Sequence, residues 1–130
     1  MEQEKKYIRF LIADDAIFMQ RVVKDTLKDA GYSKILTAYS GNDTLELFNM
    51  SEPDIVFLDI NMPDGDGITT LIRIKEMNKD AICIIVSALD QDDIKEKAMQ
   101  HGAFRYITKP FKREQIVQAV DDALASKEGK

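Results

Sequence analysis

Five short runs dense in Ile, Val, Leu and aromatic residues recur along the chain, at 7–13, 35–39, 54–58, 81–86 and 104–108, and each is followed by a longer stretch whose apolar residues return at helical spacing. Runs this short and this apolar read as strands covered on both faces, which is the situation inside a parallel sheet. A parallel neighbour needs a crossover of a dozen or so residues, and the helical stretches supply it. The repeated strand-then-helix order therefore predicts an α/β domain. Residues 17–30 place Phe18, Val22, Val23, Thr26, Leu27 and Ala30 along one stripe, with Gly31 as a stop. Residues 42–50 present Leu45 and Phe48, and residues 68–77 present Ile68, Leu71, Ile72 and Lys75. Residues 92–100 end before Gly102, and residues 113–125 carry Ile116, Val117, Val120 and Leu124, which leaves 126–130 as a frayed tail. Right-handed crossovers let such a chain close as a doubly wound, five-stranded parallel sheet with five helices, in the strand order 2-1-3-4-5. Strands one and three are then neighbours, and their carboxyl ends flank the point where the crossovers diverge and ligands bind.

At 130 residues the chain is the size of one domain, and nothing in it reads as a linker or a repeat. A hydrophobic content of 45% with only 3 Pro and 6 Gly excludes disorder and fibrous repeats. The net charge of −5 argues against a nucleic-acid or anionic-membrane partner, since both need a concentrated basic face. The longest apolar run, 81–86, is far below the ~20 residues of a membrane helix, and the opening MEQEKKYIRF lacks the apolar core of a signal peptide. A cytoplasmic protein is expected. The one cysteine, Cys83, lies within that apolar run, so it packs as a small hydrophobe and cannot form an intramolecular disulfide.

Asp14 and Asp15 follow strand one, Asp59 follows strand three, Ser87 follows strand four and Lys109 follows strand five. Any one of these would pass for a helix cap or a solvated loop residue. The predicted topology brings all five to one edge of the sheet. Three carboxylates crowded there repel one another unless some protonate or a cation intervenes. Mg²⁺ suits such a site because it accepts one or two carboxylates, keeps several waters and takes phosphate oxygens. Ca²⁺ in an EF-hand-like loop from Asp59 is rejected: position five is Pro63, the sixth-position Gly is Asp64, and position twelve is Thr70 where Glu is required. A cation, a carboxylate and an ammonium around one point make a phosphoryl-binding site, with Asp59 as candidate nucleophile, Lys109 holding phosphoryl oxygens and Ser87 donating to the same group.

The segments that carry these residues are FLIADDA at 10–16, PDIVFLDINMPDGDG at 53–67, IIVSAL at 84–89 and YITKPF at 106–111. In that order and at that spacing they resemble the response-regulator receiver family over nearly the whole chain. The resemblance implies the flavodoxin-like fold, a single receiver domain over 1–130 with no output domain, and a two-component signalling switch that is not a turnover enzyme. It implies that Asp59 is the phosphoacceptor, that Asp15 and Asp59 ligate Mg²⁺ directly, that Asn61 does so through its backbone carbonyl, and that Asp14 acts mainly through a coordinated water. It further implies that Ser87 is the hydroxyl switch, Tyr106 the aromatic switch and Lys109 the phosphoryl-holding lysine, and that the Lys109–Pro110 bond is cis. Implied partners are a sensor histidine kinase as donor, a phosphatase and a downstream protein target, with the chain a monomer. DDAIFMQR at 14–21 is most similar to the single-domain chemotaxis regulators of the family, whose target is the flagellar motor switch; a receiver in some other phosphorelay is the alternative within the family.

Two readings from other classes stand beside this one. A small aspartyl-nucleophile phosphohydrolase of the haloacid-dehalogenase kind would use the same strand end, but needs a second Asp two residues on, where this chain has Asn61. A flavin carrier of the same topology would need a first loop rich in Ser, Thr and Gly to receive a phosphate, where this chain has Asp14 and Asp15.

Overall fold

The computed structural model describes residues 5–128. β1 (Arg9–Ala13), β2 (Lys34–Ala38), β3 (Ile55–Leu58), β4 (Ile82–Ser87) and β5 (Arg105–Thr108) form one parallel sheet in the order β2-β1-β3-β4-β5, which is the 2-1-3-4-5 topology expected. The crossovers are α1 (Ile17–Asp29), α2 (Gly41–Ser51), α3 (Gly67–Met77), α4 (Asp92–Gln100) and α5 (Arg113–Glu128). A two-residue antiparallel ladder, Asn61–Met62 with Gly65–Asp66, lies in the connection from β3 to α3.

The period-two geometry of a strand sends alternate side chains to opposite faces, and here both faces are apolar. Leu11, Val56, Leu58, Cys83 and Ile85 meet Phe48, Leu71, Ile74 and Ala98 from α2, α3 and α4. Phe10, Ile12, Ile55, Phe57 and Ile84 meet Val23, Leu27, Ile116 and Val120 from α1 and α5. Phe10 stacks on Phe57 with centroids 6.2 Å apart and meets Tyr32 edge-on at 4.9 Å. Burying a side chain of this size contributes about 2 kcal/mol each. Cys83 is buried as expected, and burial pushes its thiol up to about 12.

Side chains cap the starts of α2 and α3. Ser40 accepts the Asp43 N–H to start α2, and Asp66 accepts the Ile68 N–H to start α3. After α1 the chain turns through Gly31 at φ 105°, a left-handed conformation that a Cβ would disfavour. Gly67 is required for a different reason: a Cβ there would stand 2.2 Å from the Cα of Ile60, so only glycine lets α3 start against the segment that follows β3.

Several expectations are corrected. β1 starts at Arg9, because residues 7–8 belong to a turn in which the Ile8 N–H bonds to Lys5 O. β2 begins one residue earlier and ends at Ala38. Asp54 and Phe104 lie just outside β3 and β5, and the Asp54 carboxylate accepts the Arg9 N–H at 2.9 Å. β4 ends on Ser87, so the serine is the last strand residue rather than the first loop residue. The buried stripe of α1 is Gln20, Val23, Thr26 and Leu27; Phe18 is 73% exposed, because Gln20, Val23 and Leu27 define an inward face from which Phe18 points away. On α3 Ile68 and Leu71 face inward as expected and Ile74 joins them, while Lys75 spans the connection to β4 by donating to Lys79 O and Ala81 O, both at 2.8 Å. α5 continues through residues expected to fray: Ser126 bonds to Ala123 O, and Lys127 reaches Asp54 at 3.6 Å. Residues 129–130 of that expected tail lie outside the described residues. No helix among the described residues is long and apolar enough to cross a membrane.

Candidate functional site

At the carboxyl edge of the sheet the backbone ladder runs one step past the strands. The Asp14 N–H donates to Ala38 O at 3.1 Å, the Asp59 N–H to Ala13 O at 2.9 Å and the Lys109 N–H to Ser87 O at 2.8 Å. This extra step holds Asp14, Asp59 and Lys109 at fixed heights above β1, β3 and β5, and the Lys109–Pro110 peptide that follows is cis.

Lys109 is the hub. Its ammonium donates to Asp14 Oδ2 at 2.8 Å and to Asp59 Oδ2 at 3.0 Å. The remaining carboxylate oxygens are tied to backbone, Asp14 Oδ1 accepting the Ala16 N–H and Asp59 Oδ1 the Asn61 N–H, both at 2.9 Å. Asp14 and Asp59 are buried, whereas Asp15 is exposed, yet one oxygen from each of the three carboxylates lies within 4.8 Å of the others. Burial raises the pKa of Asp14 above the usual carboxylate range, although the bond from Lys109 pulls the other way. Burial also works against the Lys109 ammonium, but its bonds to Asp14 and Asp59 outweigh that and hold its pKa above the ordinary lysine value.

Ser87 and Tyr106 converge on one neighbour. The fully buried Ser87 Oγ accepts the Leu89 N–H at 3.2 Å, and the Tyr106 hydroxyl donates to Leu89 O at 2.7 Å. Burial raises the Tyr106 pKa above the ordinary tyrosine value. Lys95 of α4 stands 5.9 Å from the Tyr106 ring centroid and pairs with Asp90 at 2.6 Å.

The structure thus gathers Asp14, Asp15, Asp59 and Lys109 into one cluster and sets Ser87 and Tyr106 beside it through Leu89. Asn61 follows Asp59 on the short ladder, its side chain exposed. Two contributors escaped the sequence reading. Gln20 donates from its amide to Asp14 O and Ala38 O, at 2.6 and 2.9 Å. Asp64 accepts the Gly41 and Asn42 N–H groups, at 2.7 and 2.9 Å, and so straps the connection after Asp59 to the start of α2; those amides lower its pKa. A glutamine on the apolar stripe of α1 was the available signal for the first. Asp64 carried none, since its partners lie 22 and 23 residues away.

Three carboxylates against one ammonium leave an excess of two negative charges at a partly buried point, and every available donor is a hard oxygen. That donor set fits Mg²⁺. The residues able to hold it are Asp14, Asp15 and Asp59, and the backbone carbonyl of Asn61 lies two residues beyond Asp59.

Comparison with known proteins agrees with this arrangement. The family model described as response regulator receiver domain matches residues 10–121. The chain is 38% identical over 116 residues to the chemotaxis protein CheY of Bacillus subtilis (strain 168), covering 89% of this chain and 97% of that one. It is 36% identical over 118 residues to the chemotaxis protein CheY of Treponema pallidum (strain Nichols), covering 89% and 82%. Among solved structures, a chain of the CheX–CheY–BeF3–Mg complex from Borrelia burgdorferi superposes with a TM-score of 0.89 at 31% identity, covering 95% of this chain and 94% of that one. The fold, the cluster at the carboxyl edge and these relatives lead to one assignment: the chain belongs to the response regulator receiver domain family and is CheY-like.

Proposed function

We propose that the protein is a phosphorylation-driven switch of a two-component system, in which Asp59 accepts a phosphoryl group from a histidine kinase. The observation that carries this reading is the Lys109 ammonium, 3.0 Å from Asp59 Oδ2 and 2.8 Å from Asp14 Oδ2, within a three-carboxylate cluster. A carboxylate oxygen of Asp59 attacks the phosphorus of the donor phosphohistidine. The P–N bond breaks, its electron pair returns to the imidazole, and an acyl phosphate forms on Asp59. Lys109, already within bonding distance of Asp59, then holds a phosphoryl oxygen. Asp15, Asp59 and the Asn61 carbonyl would hold Mg²⁺ directly, and Asp14 would hold it through water. Bound there, Mg²⁺ supplies neutralisation of the charge on the transferred oxygens.

The signal leaves through Ser87. Its hydroxyl is engaged with the Leu89 N–H, and turning it towards new phosphoryl oxygens withdraws that contact from the residue whose carbonyl Tyr106 holds. Tyr106 and the segment through Leu89 then shift balance between two arrangements of the outer surface formed by α4, β5 and α5. A swing from 1:99 to 99:1 needs ~5.5 kcal/mol, whereas one hydrogen bond to a charged group contributes ~1.5–3 kcal/mol, so Lys109 and the cation must share the task. A role in chemotaxis is supported by the relatives, several of which are named as chemotaxis proteins; a flagellar-switch target, a partner phosphatase and a cytoplasmic setting are part of the same proposal.

Asn61 stands where a phosphohydrolase of this plan needs its acid, so a single labelling event is expected in place of turnover. The test is incubation with acetyl phosphate and Mg²⁺ beside incubation with a chromogenic phosphoester. One phosphoryl group per chain and no sustained chromophore release supports the switch; repeated hydrolysis of the phosphoester contradicts it.

A further inference from the structure

Gln20 is 4% exposed and sits on the buried stripe of α1. Its amide nitrogen uses both N–H groups, one on Asp14 O at 2.6 Å and one on Ala38 O at 2.9 Å. These carbonyls lie at the carboxyl ends of neighbouring strands, where the sheet opens around the acidic cluster. Ala38 O also receives the Asp14 N–H at 3.1 Å. Asp14 is therefore gripped twice by one side chain, directly at its carbonyl and indirectly at its amide.

The consequence falls on Asp15. The Asp14 carbonyl and the Asp15 N–H share one planar peptide unit, so fixing that carbonyl fixes the plane from which Asp15 departs. Asp14 and Asp59 have their carboxylates tied by Lys109 and by backbone amides. Among the described residues the Asp15 carboxylate has no hydrogen bond or ion pair of its own, and it is exposed. Its place within 4.8 Å of the other two depends on its rotamer and on the direction of the backbone; Gln20 fixes the Asp14–Asp15 peptide, as the Asp14 carboxylate fixes the next one through the Ala16 N–H.

We propose that Gln20 is a positioning residue for cation binding: by holding the Asp14–Asp15 peptide it prearranges the three carboxylates. This rests on the metal reading given above. Groups that orient metal ligands from behind typically change affinity by about 10- to 100-fold when removed. A glutamine that merely satisfied two buried carbonyls would influence stability and leave affinity alone.

The experiment measures Mn²⁺ binding to the whole chain by the loss of the free-ion electron paramagnetic resonance signal, with Mg²⁺ read by displacement. Gln20→Met keeps the volume and removes both donors. Thr26→Val is the control for lost stability: Thr26 is buried on the same helix, but its hydroxyl bonds only to Val22 O, at 2.7 Å. The account expects Gln20→Met, at a temperature where circular dichroism shows it folded, to bind Mn²⁺ about tenfold more weakly, with Thr26→Val unchanged. Equal affinity in Gln20→Met and wild type overturns the proposal, as does an equal loss in Thr26→Val. Should Gln20→Met not fold, Gln20→Asn decides, since its shorter stem cannot span both carbonyls: weakened binding supports the proposal and wild-type affinity overturns it. Absence of binding in the wild type overturns the metal reading and this inference together, whereas normal wild-type binding with unaffected Gln20 variants overturns this inference alone.

Discussion

Lys109→Met removes the ammonium and keeps a side chain of similar length. The two buried carboxylates it bridges, at 2.8 and 3.0 Å, are then left facing each other and Asp15 with no cation bonded to them among the described residues. Two unit charges 4.8 Å apart repel by about 3.5 kcal/mol at an effective dielectric constant of about 20. Removing one partner of a buried pair generally costs about 3–5 kcal/mol. Partial protonation relieves some of this, so a loss of about 3 kcal/mol is expected near pH 7.5 in chelator. The pH dependence has a definite sign. Burial already raises the folded pKa of Asp14 above its ordinary 3.8, and Lys109 is a force that lowers it. Without Lys109 the folded value rises further. A group whose pKa is higher in the folded state favours folding most below its unfolded value and loses that benefit as pH rises through the folded one. The deficit of the variant must therefore shrink as pH falls from about 7.5 towards 5. Mg²⁺ should also recover part of it, because a cation that binds only the folded state adds stability. Urea titrations followed by circular dichroism, for both proteins at both pH values, provide the assay. A variant as stable as wild type near neutrality, or a deficit that does not change with pH, would refute the reasoning.

Other outcomes follow from single contacts. Gly67→Ala places a Cβ 2.2 Å from the backbone of Ile60, which cannot give way as a side chain can, so urea unfolding should show a loss of at least about 3 kcal/mol. Tyr106→Trp gives a chain with no native Trp a reporter of the switch, and its fluorescence should change on phosphorylation. Ser87→Ala in that background should still accept the phosphoryl group but lose most of the fluorescence change; an undiminished change would disprove the coupling through Ser87. Tyr106→Phe removes the 2.7 Å bond to Leu89 O and should cost about 1 kcal/mol by denaturation.

The strands whose residues face two helix layers were plain in the sequence, since β3 and β4 are continuous apolar runs, and their order followed from crossover handedness. Asp14, Asp15, Asp59 and Lys109 were legible as a group because topology alone carries strand-end residues to one edge. The edge strand β2 slipped by one residue: its alternating burial offers a weaker pattern than a run buried on both faces. The inward face of α1 was misjudged at Phe18 because Gln20 took the inward place that an apolar residue would ordinarily hold, which turns Phe18 outward. Contacts such as Asp64 with the start of α2 depend on how a loop folds back across the sequence, and no local spacing encodes that.

The measurement that bears most directly on the central claim is the location of the phosphoryl group. After reaction with acetyl phosphate and Mg²⁺, mass spectrometry of the intact chain and of its peptides should find one phosphoryl group on the peptide containing Asp59. It should be lost on treatment with hydroxylamine, as an acyl phosphate is, and be absent from Asp59→Asn. Full labelling of Asp59→Asn, or a hydroxylamine-resistant group on another residue, would contradict the account.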